Sequence, residues 1–323
     1  MHKANMVTVI IVNWNGGHLL VQCLRDLLRQ SYQPALILVM DNGSSDGSAE
    51  QAAQMPGVSV RFLGHNYGFA GGNNRAFSEC NTEYVALLNP DAFPEPDWLE
   101  KLVAAAEAHP EVAAFGSRQM MHGAENVVDG LGDAYHVSGL IWRDGHGRLW
   151  RDSDALPREI FSPCAGAALY RRDPLVNVGG FDEDYFCYLE DVDLGFRLRL
   201  AGCRAMYVPD AVVHHVGSAT TGGAGSDFCV YHGHRNLVWT FVKDMPGILF
   251  WLLLPAHVLL NLVSILLFAL RGNGRVILRA KRDALRGVPK MWRKRQEIQK
   301  HRAVSVGAIW RELDKRLFRG RRK

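Results

Sequence analysis

Leu87-Leu88-Asn89-Pro90-Asp91 closes an uncharged apolar run, Tyr84 to Leu88, with a carboxylate. A second apolar run, Leu36 to Met40, ends on Asp41 in the same way. Bare acids at the tips of buried strands are poor for folding but good for holding a cation or a sugar. Farther on, Glu190-Asp191-Val192-Asp193 places three carboxylates in four residues at a helix start, and Asp182-Glu183-Asp184 lies just before it. The free amides and dipole of a helix N-terminus answer part of that charge. The rest requires a cation or a proton among the acids. Such an array suits removal of a proton from an attacking hydroxyl while a metal or an arginine neutralises a leaving diphosphate. His214 and His215 follow Asp210 at the end of another strand, where a neutral imidazole can complete a metal site with Asp91. The plainer readings are helix caps for Asp41 and Asp91, and a core or surface histidine for His215.

The elements that must position these groups are legible from periodicity. Strands are expected at Val7 to Val12, Leu36 to Met40, Val58 to Leu63, Tyr84 to Leu88 and Val112 to Phe115, then at Ala165 to Tyr170 and Ala205 to Val208. Helices are expected from Leu19 to Leu28, from near Ser48, around Ala76, from the prolines at 94 and 96 through Ala108, and from Phe228 to Val242. Alternating strands and helices with short connections predict an α/β domain, a parallel sheet covered on both faces. Gln119 to Pro157 has little period and is expected to form a hairpin excursion over the site, and Thr220 to Gly225 a lid. The glycine-rich Gly68 to Asn73 loop allows close approach of a ligand, but it matches neither the dinucleotide fingerprint nor a P-loop.

Charge divides the chain. Residues 271–323 hold 19 Lys or Arg against four Asp or Glu, while the other 270 residues hold 18 against 29. An acidic body is thus joined to a basic tail suited to an anionic surface. Ile248 to Leu270 carries no formal charge and is about as long as a membrane-crossing helix. A single crossing would put the body opposite its basic flank, so a hairpin kinked at Pro255 or a segment lying in one leaflet is preferred. The expected division is therefore 1–245 for the catalytic domain and 246–323 for a membrane-associated helical segment with its basic tail. Six scattered cysteines without metal spacing read as free thiols of a reducing compartment. The short apolar run after Met6 reads as a first strand rather than a cleavable signal, which places catalysis at the cytoplasmic face.

Taken in order, these pieces resemble a family 2 glycosyltransferase of the GT-A fold, in the bacterial rhamnosyltransferase-like group. The resemblance is carried by Val9 to Asn15, Val39 to Ser48, Asn66 to Asn73, Leu87 to Asp91, Gly179 to Glu183, Tyr188 to Leu194, His215 with Gly217-Ser218, and Arg235-Asn236. Asn-Pro-Asp stands where the family more often has Asp-x-Asp, so the first acid of that pair is absent. The resemblance implies a Rossmann-like, mostly parallel sheet. It also implies an inverting transfer from a nucleoside-diphosphate sugar, dTDP-rhamnose before a UDP- or GDP-sugar. The acceptor would be a saccharide or polyprenyl-linked glycan at the inner or plasma membrane, in polysaccharide synthesis. Carried over residue by residue, it puts Asn13, Asp41, Asn66, Gly68, Gly71, Asn73, Asn89 and Arg235 around the nucleotide sugar. Asp91, with His215, would hold Mg2+ or Mn2+. Gly166 would line the acceptor floor, Asp191 would be the base, and Glu190 would orient the acceptor. Asp193 is the weaker candidate base because it points toward the helix body.

Two other classes remain open at this point. A carbohydrate- or nucleic-acid-binding module could use the basic tail, although that tail lacks the regular aromatic interleaving of a single-strand platform, so no nucleic acid is expected. A sugar-phosphate nucleotidyltransferase shares the sheet and metal, yet Gly16-Gly17-His18 is thin for its activation loop. Release of nucleoside diphosphate rather than pyrophosphate separates that class from a glycosyltransferase.

Overall fold

Alternation along the first strand builds two layers at once. In the computed structural model, which describes residues 6–217, 222–223 and 225–316, β1 (Val7–Asn13) sends Val7, Val9 and Ile11 into one core and Ile10 into the other. It pairs in parallel with β2 (Leu36–Asp41) on one side and β4 (Tyr84–Leu88) on the other, and β3 (Val58–Phe62) extends the sheet beyond β2. The order reverses between β1 and β4, the place where an open α/β sheet leaves a crevice at its C-terminal edge. α1 (Gly17–Leu28) and α4 (Trp98–Ala108) fill one face, and α3 (Gly68–Phe77) and α6 (Glu190–Leu200) lie over the other. Smaller helices α2 (Ser48–Ala53) and α5 (Arg172–Asn177) complete the covering.

Beyond β4 the sheet becomes mixed. β11 (Ala167–Arg171) runs antiparallel between β4 and β6 (Val112–Met121), and β12 (Arg204–His215) is parallel to β6. The expected helix start at Pro94 is instead a short strand, β5 (Ala92–Pro94), and α4 begins only at Trp98. β5 pairs antiparallel with the last residues of β12, with His215 opposite Ala92, and this register carries His215 to Asp91. The excursion after β6 holds β7 (Val128–Gly130), which pairs with β6, and a hairpin of β8 (Asp133–Tyr135) and β9 (Ile141–Arg143). β10 (Arg158–Glu159) pairs with β12.

The C-terminal part is helical: α7 (Asp227–Asp244), α8 (Gly247–Phe268), α9 (Gly274–Lys300) and α10 (Val306–Glu312). The reversal expected at Pro255 lies elsewhere, because α8 continues through that proline and turns at Ala269–Asn273, where Gly272 has φ 88°. α9 folds back on α7, so most of the basic segment is a packed helix: the Arg295 guanidinium donates to Val242 O, and Trp239 Nε1 donates to Ala284 O. Lys290 and Lys294 pair with Asp184, and Lys294 also with Asp182. Of the expected lid, Thr220, Thr221 and Ala224 lie outside the described residues, as does Ser218.

Lys243 is 1% exposed and holds Asp182 at 2.6 Å and Asp193 on α6. Burial alone would favour the neutral amine, but Asp193 and Asp244 beside it keep its pKa raised. Lys243→Met removes the cation and leaves two buried carboxylates undercompensated. The variant should lose about 3–5 kcal/mol of stability. A urea titration checks this, and an unchanged midpoint would show that Arg197 and Lys294 suffice.

Candidate functional site

A cleft of about 1080 Å³ opens at the C-terminal edge of β1, β2 and β4. Its walls include Trp14, Asn42, Asn66, Gly68, Asn89, Asp91, Gly166, Glu190, Asp191 and His215, together with Asp129, Asp133 and Arg143 from the excursion. Eight of the residues singled out from sequence therefore meet in one space.

On one side, Asp91 follows β4 after Asn89 and Pro90, and the loop is fixed by Asn89 N–H donating to Gly166 O at 2.8 Å. His215 stands between two carboxylates, with Nε2 3.3 Å from Asp91 Oδ1 and Nδ1 2.9 Å from Asp129 Oδ2. Burial pulls the imidazole pKa down, but the hydrogen bonds and charges of Asp129 and Asp91 outweigh it and lift it to about 9. The ring is accordingly an imidazolium at neutral pH in this state. Asp129 is itself held by the Arg143 guanidinium at 2.8 Å, while His146 Nδ1 lies 2.8 Å from its carbonyl oxygen. The pair Asp91 and His215 offers an oxygen and a nitrogen donor side by side, the donor types that Mn2+ accepts, and Mg2+ through the carboxylate. Asp129 bonds the far ring nitrogen of His215, and among the described residues no group of three His, Cys, Asp or Glu is arranged to hold a metal, so an ion here would draw its other ligands from substrate and water. The residues fit such an ion, which would take the place of the shared proton.

Across the cleft, the first turn of α6 presents Glu190 and Asp191. Asp191 Oδ2 accepts from Ala165 N–H at 3.2 Å and Oδ1 from Val192 N–H at 2.8 Å. Burial raises the Asp191 pKa, and the Arg143 guanidinium opposes that rise. Glu190 is pushed well above its usual range by burial and by the Asp191 charge, and its Oε2 is buried without a hydrogen-bond partner among the described residues. Asp133, raised by burial and by Asp191 but relieved by Arg143 4.0 Å away, belongs to the same group. Asp193 takes no part in the cleft. It is fully buried and bound by Arg197 at 2.8 Å and by Lys243.

The loop that delivers Glu190 and Asp191 is strained. Phe186, Tyr188 and Leu189 all have φ near +65°, a conformation that side-chain-bearing residues hold only under constraint. The constraint is Asn236 on α7, whose Nδ2 lies 3.1, 2.9 and 2.7 Å from the carbonyl oxygens of Tyr185, Cys187 and Tyr188 and donates to them. Arg235 adds to it, donating through Nη2 to Asp184 O at 3.0 Å and Tyr185 O at 2.9 Å.

That arrangement corrects the expectation that Arg235 reaches a phosphate. Its guanidinium lies over the Trp239 ring, 4.3 Å from the centroid, with Nη2 on the loop carbonyls and Nε donating to Asn236 Oδ1, and it does not line the cleft. Asn13 and Asp41 are also set behind the cleft wall. Asn13 Nδ2 donates to Asp41 Oδ1 at 2.9 Å, and Asp41 Oδ2 accepts from Gly43 and Ser44 N–H, which shapes the loop that puts Asn42 in the wall. Asn73 is buried and donates to Phe69 O, and Gly71 lies under Tyr67 and Arg75, so neither lines the cleft. Asn66 and Gly68 do line it, with Asn66 Oδ1 accepting from Gly68 N–H.

Gly68 has φ 72°, and a Cβ there would run into the Phe186 carbonyl and ring. Gly68→Ala should therefore push the Asn66 loop and the 186–189 loop apart. Donor affinity should fall about tenfold, the equivalent of about 1.4 kcal/mol. Isothermal titration with nucleotide sugar checks this, and unchanged affinity would mean that the two loops move independently.

Asp129, Asp133 and Arg143 were not found from sequence. The available signal was the spacing of Asp129 and Asp133 among apolar residues in Val127-Val128-Asp129-Gly130-Leu131-Gly132-Asp133, but without a period no element placed them.

Known proteins resemble the chain in sequence and in fold. Residues 8–179 match the family model described as Glycosyl transferase family 2. The chain belongs to that family. This glycosyltransferase is 30% identical over 251 residues, 71% of its own length and 82% of the relative's, to an N-acetylglucosaminyl-diphospho-decaprenol L-rhamnosyltransferase of Mycobacterium tuberculosis. It is also 30% identical over 220 residues to the rhamnosyltransferase WbbL of Escherichia coli K12, covering 63% of the chain and 81% of that protein. Among solved structures, a Pyrobaculum calidifontis mannosyltransferase in complex with GDP-Man and Mn2+ superposes with a TM-score of 0.56 at 20% identity, covering 95% of this chain and 86% of the other. GalNAc-T7 with UDP, GalNAc and Mn2+ gives a TM-score of 0.60 at 16% identity, covering 75% and 48%. The fold is GT-A, as the motif order implied.

Proposed function

We propose that this glycosyltransferase moves L-rhamnose from a dTDP donor to a lipid-linked saccharide at the cytoplasmic face of the membrane. The observation that carries the reading is the opposition, across one cleft, of a buried carboxylate at Asp191 to the Asp91 and His215 pair. Two relatives named as rhamnosyltransferases, one with a decaprenyl-linked acceptor in its name, support the choice of sugar and acceptor.

Asp191 accepts the proton of the acceptor hydroxyl on its carboxylate. The oxygen then attacks the anomeric carbon as the bond to the diphosphate breaks, and the electron pair leaves with the nucleoside diphosphate. Glu190, whose pKa is raised by burial and by the Asp191 charge, orients the acceptor through a hydrogen bond. Arg143 opposes the rise that burial imposes on the Asp191 pKa. Asn66 and Asn89 line the donor side of the cleft with their amides, and Asn42 holds the Gly68 loop beside them. Mg2+ or Mn2+ on Asp91 and His215 would neutralise the diphosphate as a Lewis acid, and solved structures of the same fold hold Mn2+.

A panel of dTDP-, UDP- and GDP-sugars, assayed with a polyprenyl-diphosphate saccharide, tests the reading. Product from dTDP-rhamnose, with dTDP released, is expected. Turnover of another donor alone would discard the rhamnose assignment. Release of pyrophosphate would discard the reaction class.

A further inference from the structure

We propose that α8 lies in the plane of one anionic leaflet as a monotopic anchor, most of its surface in lipid and its inner edge, at Leu249, Phe250 and His257, packed on the catalytic body. The inference deepens the membrane-linked reading above and rests on it. α8 has two opposite sides. Phe250, His257, Asn261 and Phe268 follow at steps of seven, four and seven, which return to one side of a helix. All four are engaged with the rest of the protein. Phe250 packs on Phe241 at 5.5 Å and on Trp292 at 5.5 Å. The His257 ring lies parallel to Phe241 at 4.0 Å, with Nδ1 2.9 Å from Ser138 O. Asn261 accepts from Lys281 Nζ, and Phe268 meets His234 at 4.6 Å.

The opposite side carries Leu252, Leu259, Val263, Leu266 and Leu270, between 44% and 76% exposed, and no charge. From Leu252 to Leu270 this stripe spans 19 residues, about 27 Å. A soluble protein rarely leaves so long an apolar ridge bare.

A helix that crosses a bilayer is surrounded by lipid or by other membrane segments along its length. α8 touches α7 through Phe250, His257 and Phe268 and the β8–β9 turn through His257, so a crossing would draw that turn and α7 toward hydrocarbon with it. Lying flat removes that conflict. The choice of an anionic leaflet follows from α9, the other arm of the same hairpin. Its solvent side exposes Arg275, Arg279, Arg282 and Arg286, and the last three share one carboxylate, Asp283. The surplus positive charge beside an apolar ridge complements acidic headgroups above acyl chains. The same helix carries Lys290 and Lys294, which hold Asp182 and Asp184 ahead of the catalytic loop, so the anchor and the active site form one connected unit.

The test uses the full chain and preformed vesicles of phosphatidylcholine, with or without 30% phosphatidylglycerol. The wild type should float with the anionic vesicles at least tenfold more than with neutral ones, and Leu259→Glu with Leu266→Glu should lose that flotation. A Leu259→Trp variant reports depth through phospholipids brominated near the headgroup or near the chain end. Shallow bromines should quench the added fluorescence most. Strongest quenching by the deepest bromines would show a crossing helix and overturn the proposal. Flotation unaffected by the paired glutamates would overturn it as well. So would a wild-type dimer that the paired glutamates dissociate without any vesicle binding, because a second copy would then cover the ridge. Nucleotide-sugar hydrolysis in solution is followed in parallel and should be unchanged in the paired variant, which separates loss of docking from loss of the transferase.

Discussion

Asp191→Asn should lower sugar transfer by about 10²–10⁴-fold, the range a positioned general base contributes. The amide is nearly isosteric and keeps an oxygen for Ala165 N–H, which donates to Asp191 Oδ2 at 3.2 Å. Donor affinity should therefore survive while the chemical step fails. Titration of nucleotide sugar into the variant, beside its turnover number, separates these effects. The wild-type pH profile gives a second check. Burial raises the Asp191 pKa and Arg143 restrains the rise, so the acid limb of activity should fall above the ordinary aspartate range, with activity lost as pH drops and the base takes its proton. Arg143→Met removes the restraint and should move that limb to higher pH. If Asp191→Asn retains full turnover, the base is Glu190 or Asp133, the other acids of the same wall.

Asn236→Ala should cost about 10²-fold in turnover, the penalty expected for misplacing a catalytic group by about 1 Å, although Asn236 itself does not line the cleft. Its amide donates to three carbonyl oxygens of a loop in which Phe186, Tyr188 and Leu189 are left-handed. Each such residue costs about 1–3 kcal/mol, a strain held only while the surroundings impose it. Without the amide the loop relaxes and Glu190 and Asp191 rotate with it. Asn236 is thus a positioning residue. The readout that distinguishes this from general destabilisation is the split between constants: kcat should fall by far more than donor affinity at a temperature where the variant is folded. Asn236→Asp, which removes the donor and adds a repelling carboxylate, should do no better. Equal losses in kcat and donor affinity would count against the positioning role.

The contrast between Asp91 and Arg235 shows what the sequence carried. Tyr84–Leu88 is a strand to the residue, since an uncharged β-rich run bounded by Asn-Pro-Asp has few other uses in an α/β chain. The position of Asp91 at its tip followed from that. Its neighbour His215 was also expected there, but the short strand Ala92–Pro94 that brings them together was hidden behind two prolines that read as a helix start. Arg235 was a different kind of problem. A cation beside an Asn in an acidic region resembles a phosphate ligand, and only tertiary packing shows its charge lying over Trp239 and its Nη2 donating to the Asp184 and Tyr185 carbonyls. Asp129, Asp133 and Arg143 lie in a stretch with no period of 2 or 3.6, so nothing local tied them to a face. Pro255 was misleading for the opposite reason: a helix held on one side by packing absorbs a proline that would break it in isolation.

The most direct test of the account is the anomeric configuration of the first-turnover product. One displacement, with Asp191 taking the proton from the acceptor, must invert the configuration at the anomeric carbon. The proton NMR spectrum of product formed by excess enzyme should show an anomer opposite to that of the donor. A retained configuration would exclude the single opposite-face displacement and would contradict the role given to Asp191.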